Sequence, residues 1–225
     1  MKIKTVALAM AVTCCMAFAQ QRFDFKVRNY FFTGLSGNQP ALETGMKFCE
    51  EILAADPKDP EALVWHGSGL YFQAGQAFRK GDQQTGMQLY VRGMKEMDDA
   101  VALAPDHIGV RIPRGATLFA GSRFMQPQMA RPLVERAVSD YEKAYEIQAD
   151  RLDHLGTHPR GELLIGLADG YNRLGDQEKA KLWFDRIKTD PGLQGTAYET
   201  SADLWIETKS LPPSKAGCIG CHTGK

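Results

Sequence analysis

The stretch Glu162–Pro191, ELLIGLADGYNRLGDQEKAKLWFDRIKTDP, decides the fold. Leu164, Leu167, Ala168 and Tyr171 recur at the three- and four-residue spacing of one helix face, and Ala180 and Phe184 repeat that spacing after the break Leu174-Gly175-Asp176. The pattern predicts two helices joined by a tight turn. Two antiparallel helices approach closely only where a small residue on each faces a large one on the other. Ala168 on the first arm and Ala180, four residues ahead of Phe184, on the second supply the small halves.

Working outward, the second-arm signature of a small residue four before a large one returns as Gly45 with Cys49, Gly93 with Met97 and Ala137 with Tyr141. Pro57 and Pro105 each follow the large residue by eight, and Gly67 and Gly115 follow those prolines by ten, at the small position of the next first arm. The copies are 48, 44 and 43 residues apart. From Gly67 to Gly93 is 26 residues where the last copy uses 12, which predicts an extended first helix plus a loop from Gly81-Asp82 to Gly86. The segment from Thr196 to Lys209 carries Ala202, Leu204, Trp205 and Thr208 at helical spacing and reads as a terminal helix. Near the other end, Phe23, Phe25 and Val27 alternate with polar residues before Tyr30, Phe31 and Phe32, a pattern open to a short strand or to a helix start.

The 162–191 unit resembles a tetratricopeptide repeat, with the closing Pro191 one residue short of the family spacing and with the upstream copies stretched beyond the usual 34 residues. The resemblance covers roughly residues 24 to 209, within a solenoid domain expected over 20–209. It implies an all-α solenoid of about four degenerate helix pairs plus a terminal helix, in which stacking supplies the core that no pair has alone. It also implies binding of protein partners, or of further copies, along the concave face.

The chain has 225 residues with 27 basic and 27 acidic side chains and 44% hydrophobic residues, the composition of an ordinary globular protein. A balanced charge without a long Lys/Arg run disfavours nucleic acid as a partner. Lys2 and Lys4, an uncharged run from Val6 to Phe18 and the small residues Ala17 and Ala19 read as a signal peptide over residues 1–19. Its apolar run is shorter than a membrane span needs, and no later segment is long and apolar enough to serve as one. The expected location is therefore periplasmic, extracellular or at the cell surface. Lipidation at Cys14 or Cys15 is the alternative, against the larger residues that precede them. Cleavage after Ala19 removes two lysines and shifts the formal charge from zero to about −2.

A Pro/Gly linker at 210–217 leads to a tail, 218–225, that begins Cys218-Ile219-Gly220-Cys221-His222. This is the C-x-x-C-H pattern of c-type haem attachment. Cys218 and Cys221 can add across the two vinyl groups of one haem c, and the adjoining His222 is placed as the proximal iron ligand. Chance would give the pattern about 0.002 times in a chain of this length and composition. A structural zinc site, which normally takes four protein ligands, and a thioredoxin-like dithiol, which needs a helix N-terminus in a βαβ setting, are the competing readings.

Only Thr223, Gly224 and Lys225 follow the motif, so a distal iron ligand is expected from the solenoid, from another copy or not at all. His158 is the first candidate and His154 the second, because both fall in Asp153-His154-Leu155-Gly156-Thr157-His158-Pro159, which breaks the repeat phase. His66 reads as an interhelix hydrogen-bonding residue, His107 as a helix start, and Met94, Met97, Met46 and Met87 as core packing. Met125 and Met129 complete the set. Cys49 reads as a small buried hydrophobe.

A haem on a tail exposes a large apolar face unless it docks, on its own solenoid or head-to-tail on the next copy, which would build an oligomer or filament. These features together point to an exported electron-transfer protein, with a haem-based sensor of open iron and a non-redox scaffold with a metal clip as alternatives. No nucleophile elbow, phosphate loop, zinc-protease helix or carboxylate pair marks an enzyme.

Overall fold

The computed structural model describes residues 23–123 and 125–212. Among these the protein is all-helical, with no strand: α1 (Phe23–Leu35), α2 (Gln39–Ala55), α3 (Pro60–Arg79), α4 (Gln83–Leu103), α5 (Ile108–Ser122), α6 (Pro127–Gln148), a 3-10 helix (Ala149–His154), α7 (Thr157–Leu174), α8 (Gln177–Thr189) and α9 (Ala197–Thr208). The signal-peptide segment 1–19 and the haem-attachment tail 218–225 lie outside the described residues. No described helix is long and apolar enough to cross a membrane.

Helix starts are written locally. Asn38, Asp59, Asp82, Asp176 and Thr196 each accept a hydrogen bond from the backbone N–H three residues on, satisfying donors that a helix N-terminus otherwise leaves unpaired. The turns before α4 and α8 are the same device. Gly81 and Gly175 both sit at φ 83°, in the left-handed region that disfavours a side chain, and each hands over to a capping aspartate.

That identity corrects the expected loop at Gly81–Gly86. The connection is only Lys80-Gly81-Asp82, and Gly86 is a buried residue within α4. The length goes into the helices: Gly67 lies seven residues further from its turn than Ala168 does, and Gly93 seven residues further than Ala180. Seven residues are about two helical turns, so the added pieces keep the same face toward the partner helix. Gly86 looked like a loop residue because a glycine is costly inside a helix; it is retained where the ring of Phe78 leaves no room for a Cβ.

The main packing runs between consecutive helices and between α1 and α3, α3 and α5, and α7 and α9. This nearest-neighbour arrangement is compatible with a helical solenoid. One apolar cluster extends from Val27 to Leu211. The four small-before-large pairs sit on α2, α4, α6 and α8, and all eight residues are buried. At α3 and α4 the approach is backbone to backbone: a Cβ on Gly67 would lie 2.7 Å from the Gly93 carbonyl oxygen, and one on Gly93 2.7 Å from that of Gly67. Elsewhere an aromatic ring fills the notch. Phe31 lies against Gly45 and Gly69, and Tyr141 lies against Gly115 of α5 and Gly166 of α7, tying one helix pair to the next.

The N-terminal ambiguity resolves as helix. In α1, Val27 and Phe31 are buried while Phe25 and Tyr30 face out, a period near four rather than two. The predicted terminal helix is α9, with Thr196 and Lys209 as its caps. Trp205 anchors it, stacked on Phe184 at 4.4 Å and donating from Nε1 to Asn172 Oδ1 at 2.8 Å.

Candidate functional site

Cys218, Cys221 and His222 lie outside the described residues, so the site is built from the body that the tail leaves. At the end of α9, Lys209 adopts φ 55° while its N–H donates to the Trp205 carbonyl at 2.7 Å and its ammonium sits 4.5 Å over the Trp205 ring. The left-handed residue ends the helix, and Leu211 turns onto the core with 9% of its surface exposed. The chain thus starts toward the tail folded against the body.

The histidines separate by environment. His66 is buried on α3 and bonds Glu96 of α4 through Nδ1 at 2.5 Å, with Glu50 of α2 at 3.5 Å from Nε2, so it ties three helices together as expected. His107 caps the start of α5, exposed, 4.0 Å from Glu61. His154 is exposed on the 3-10 helix. His158 is not in a loop. It opens the first turn of α7, because Gly156 starts the helix there, and its side chain is 59% exposed.

His158 is also held from behind. Its Nδ1 lies 3.0 Å from the Tyr198 hydroxyl of α9, and that hydroxyl donates to Glu162 Oε1 at 2.9 Å. His158, Gly161 and Glu162 stand at i, i+3 and i+4 on one face of α7, and the Tyr198 ring lies in the notch left by Gly161, too close for a Cβ. A hydroxyl has one proton. With that proton given to the carboxylate, the Tyr198 oxygen can accept from a proton on His158 Nδ1. Tyr198 and Glu162 were missed in the sequence; the only signal was the His-x-x-Gly-Glu spacing, whose meaning depends on α9 packing over it.

The methionines divide less simply than expected. Met46, Met94 and Met97 are buried, in keeping with core packing. Met87 is 55% exposed and is not core, although its neighbour Gly86 is buried against Phe78 of α3. Met129 is also exposed, and Met125 half-buried. Cys49 is fully buried on α2, and burial, with Asp59, Glu50 and Glu96 nearby, pushes its thiol pKa far up, so it stays a neutral hydrophobe.

The other ionic groups hold helices together. Arg114 of α5 grips Asp140 of α6 with two hydrogen bonds of 2.7 Å, Arg111 adds a third at 2.8 Å, and Arg114 also reaches Asp98 of α4 at 3.0 Å. Arg160 spans Asp190 at 2.8 Å and the Asp153 and Leu155 carbonyls, fixing the approach to α7. Among the described residues, no group of three or more His, Cys, Asp or Glu side chains gathers as a metal site.

No family model, curated protein or solved structure matches this chain. The functional reading therefore stands on its residues.

Proposed function

We propose that this chain is an exported monohaem c-type cytochrome, in which a tetratricopeptide-like helical scaffold positions one covalently bound haem c for electron transfer with partner proteins or neighbouring copies. The observation that carries the reading is Cys218-Ile219-Gly220-Cys221-His222, two thiols at vinyl spacing with a histidine beside the second. The signal-like segment at 1–19 supports it, since similar proteins acquire haem after export. The buried small–large pairs on α2, α4, α6 and α8, and the Gly-Asp turns before α4 and α8, support a repeat scaffold of the tetratricopeptide kind.

In this reading Cys218 and Cys221 hold the haem and His222 ligates its iron, with His158, or second His154, as the distal ligand. The haem supplies one-electron chemistry; the protein supplies orientation, burial and axial ligation. Protein made with c-type maturation machinery should keep its haem stain through denaturing electrophoresis. A chain that loses all stain there is not a c-type cytochrome. Carbon monoxide separates the carrier from a sensor: six-coordinate ferrous iron resists the gas, and open iron binds it at once.

A further inference from the structure

Charge is divided between the two ends of α2, α3 and α4. The start of α2, the end of α3 and the start of α4 share one end, where Gln39 bonds Gln76 at 3.2 Å and the Gly81 turn joins α3 to α4. From Leu70 to Lys95 the chain carries Arg79, Lys80, Arg92 and Lys95 and one acid, Asp82, which caps α4. Arg79 and Lys80 are exposed and rim a cleft of about 560 Å³ with Gln39, Glu43 and Gln76. The other end is the reverse. Glu50, Glu51, Asp56, Asp59 and Glu61 surround a single base, Lys58, and Glu96, Asp98, Asp99 and Asp106 follow Lys95 with no Lys or Arg among them.

We propose that these two ends are the halves of one self-association surface: the basic end of one copy, built on Arg79 and Lys80, receives the acidic end of a second copy, built on Glu51 and Asp56. The contact is made by the scaffold alone and stands apart from the cytochrome reading.

Three observations carry it. The acidic end is not a by-product of helix capping. A helix favours acids in its first turn and bases in its last, as α8 has them with Glu178, Arg186 and Lys188. By contrast α2, α4 and α6 have no acid in the first turn and no base in the last, and Asp56 caps the C-terminus of α2, where the dipole disfavours a negative charge. The two ends also cannot neutralise each other within one chain. The 21 residues of α4 rise about 30 Å, roughly three to four times the screening length at physiological salt. Each end, finally, exposes apolar surface beside its charges: Met87 and Val91 in the first half of α4, and Leu103 at its close. Because the two surfaces differ, every pair leaves one of each free, so copies add in a row rather than closing as a dimer.

Light scattering on the purified protein at roughly 100 µM should give a mass above the monomer at about 20 mM salt and the monomer mass at about 0.5 M. Arg79→Glu/Lys80→Glu makes both ends acidic and Glu51→Lys/Asp56→Lys makes both basic, so each variant alone should self-associate about 10-fold more weakly or less. An equimolar mixture of the two should associate again, since it contains one native copy of each end. Arg79→Gln/Lys80→Gln, which only removes charge, should show a smaller loss. All four positions are exposed, so thermal melts near that of the wild type are expected. Cys218→Ser/Cys221→Ser should associate as the wild type does.

A wild type that stays monomeric at low salt overturns the proposal and leaves the charged ends to a partner of another kind. A reversed variant that associates alone, or a mixture that stays monomeric, overturns it too, as does loss of association in the double cysteine variant. None of these results bears on covalent haem, whose absence overturns the cytochrome reading alone.

Discussion

Gly93→Ala and Gly75→Ala make the same chemical change in adjacent helices, and the structure gives them opposite signs. A Cβ at position 93 would lie 2.7 Å from the Gly67 carbonyl oxygen and 2.9 Å from the Tyr71 backbone nitrogen, both main-chain atoms of α3 that cannot rotate away. Overpacking of this kind costs roughly 2 to 3 kcal/mol. Alanine returns about 1 kcal/mol through its better helix propensity, so the net loss is about 1 to 2 kcal/mol. For a domain of this size that lowers Tm by about 2 to 8 °C. A Cβ at position 75 meets only the tip of the Arg79 side chain, at 3.4 Å. There the propensity gain of about 0.5 to 1 kcal/mol is unopposed, and Tm should rise by about 1 to 4 °C. Thermal and urea unfolding followed by circular dichroism reads both. If Gly93→Ala is neutral or stabilising, α3 and α4 do not meet through their backbones, and the small-residue reading of the repeat is wrong.

Other outcomes follow from the ionic groups. Asp140 is fully buried and accepts from both Arg111 and Arg114. Asp140→Ala would remove the buried acceptor that two guanidinium groups share and should cost about 3 to 5 kcal/mol in urea unfolding; a loss below about 1 kcal/mol would show that the network is replaceable. Glu199 is held below its ordinary pKa of 4.5 by the Gly195 N–H first and Lys188 next. Its folded pKa is depressed, so its contribution is complete above pH 4.5 and fades as pH falls through the folded value. The urea midpoint of Glu199→Gln should trail the wild type at pH 6 and approach it near pH 3; a gap that widens on acidification contradicts this.

The helices were legible where local chemistry and tertiary packing agree. Gly175-Asp176 announces a turn and a cap in sequence and makes both, and Thr196 to Lys209 marks α9 to its caps. Prediction failed where a residue's reason lies on another helix. Gly86 imitates a loop until Phe78 is seen in its notch, and Met87 imitates core, yet it is exposed while the adjacent Gly86 takes the contact with α3. The site divides the same way. The Cys218–His222 pattern suggests its chemistry within five consecutive residues, which lie outside the described ones. His158 was visible only as a break in repeat phase, and its partners not at all, because Tyr198 is 40 residues away and meets it only when α9 closes over α7.

The central claim is that Cys218 and Cys221 carry one haem c. A pyridine haemochrome spectrum of protein made in a host with c-type maturation machinery, beside Cys218→Ser/Cys221→Ser, tests it most directly. One covalently held haem per wild-type chain and none in the double variant is the expected result. Wild-type protein without haem, or a variant that holds it equally well, would contradict the account.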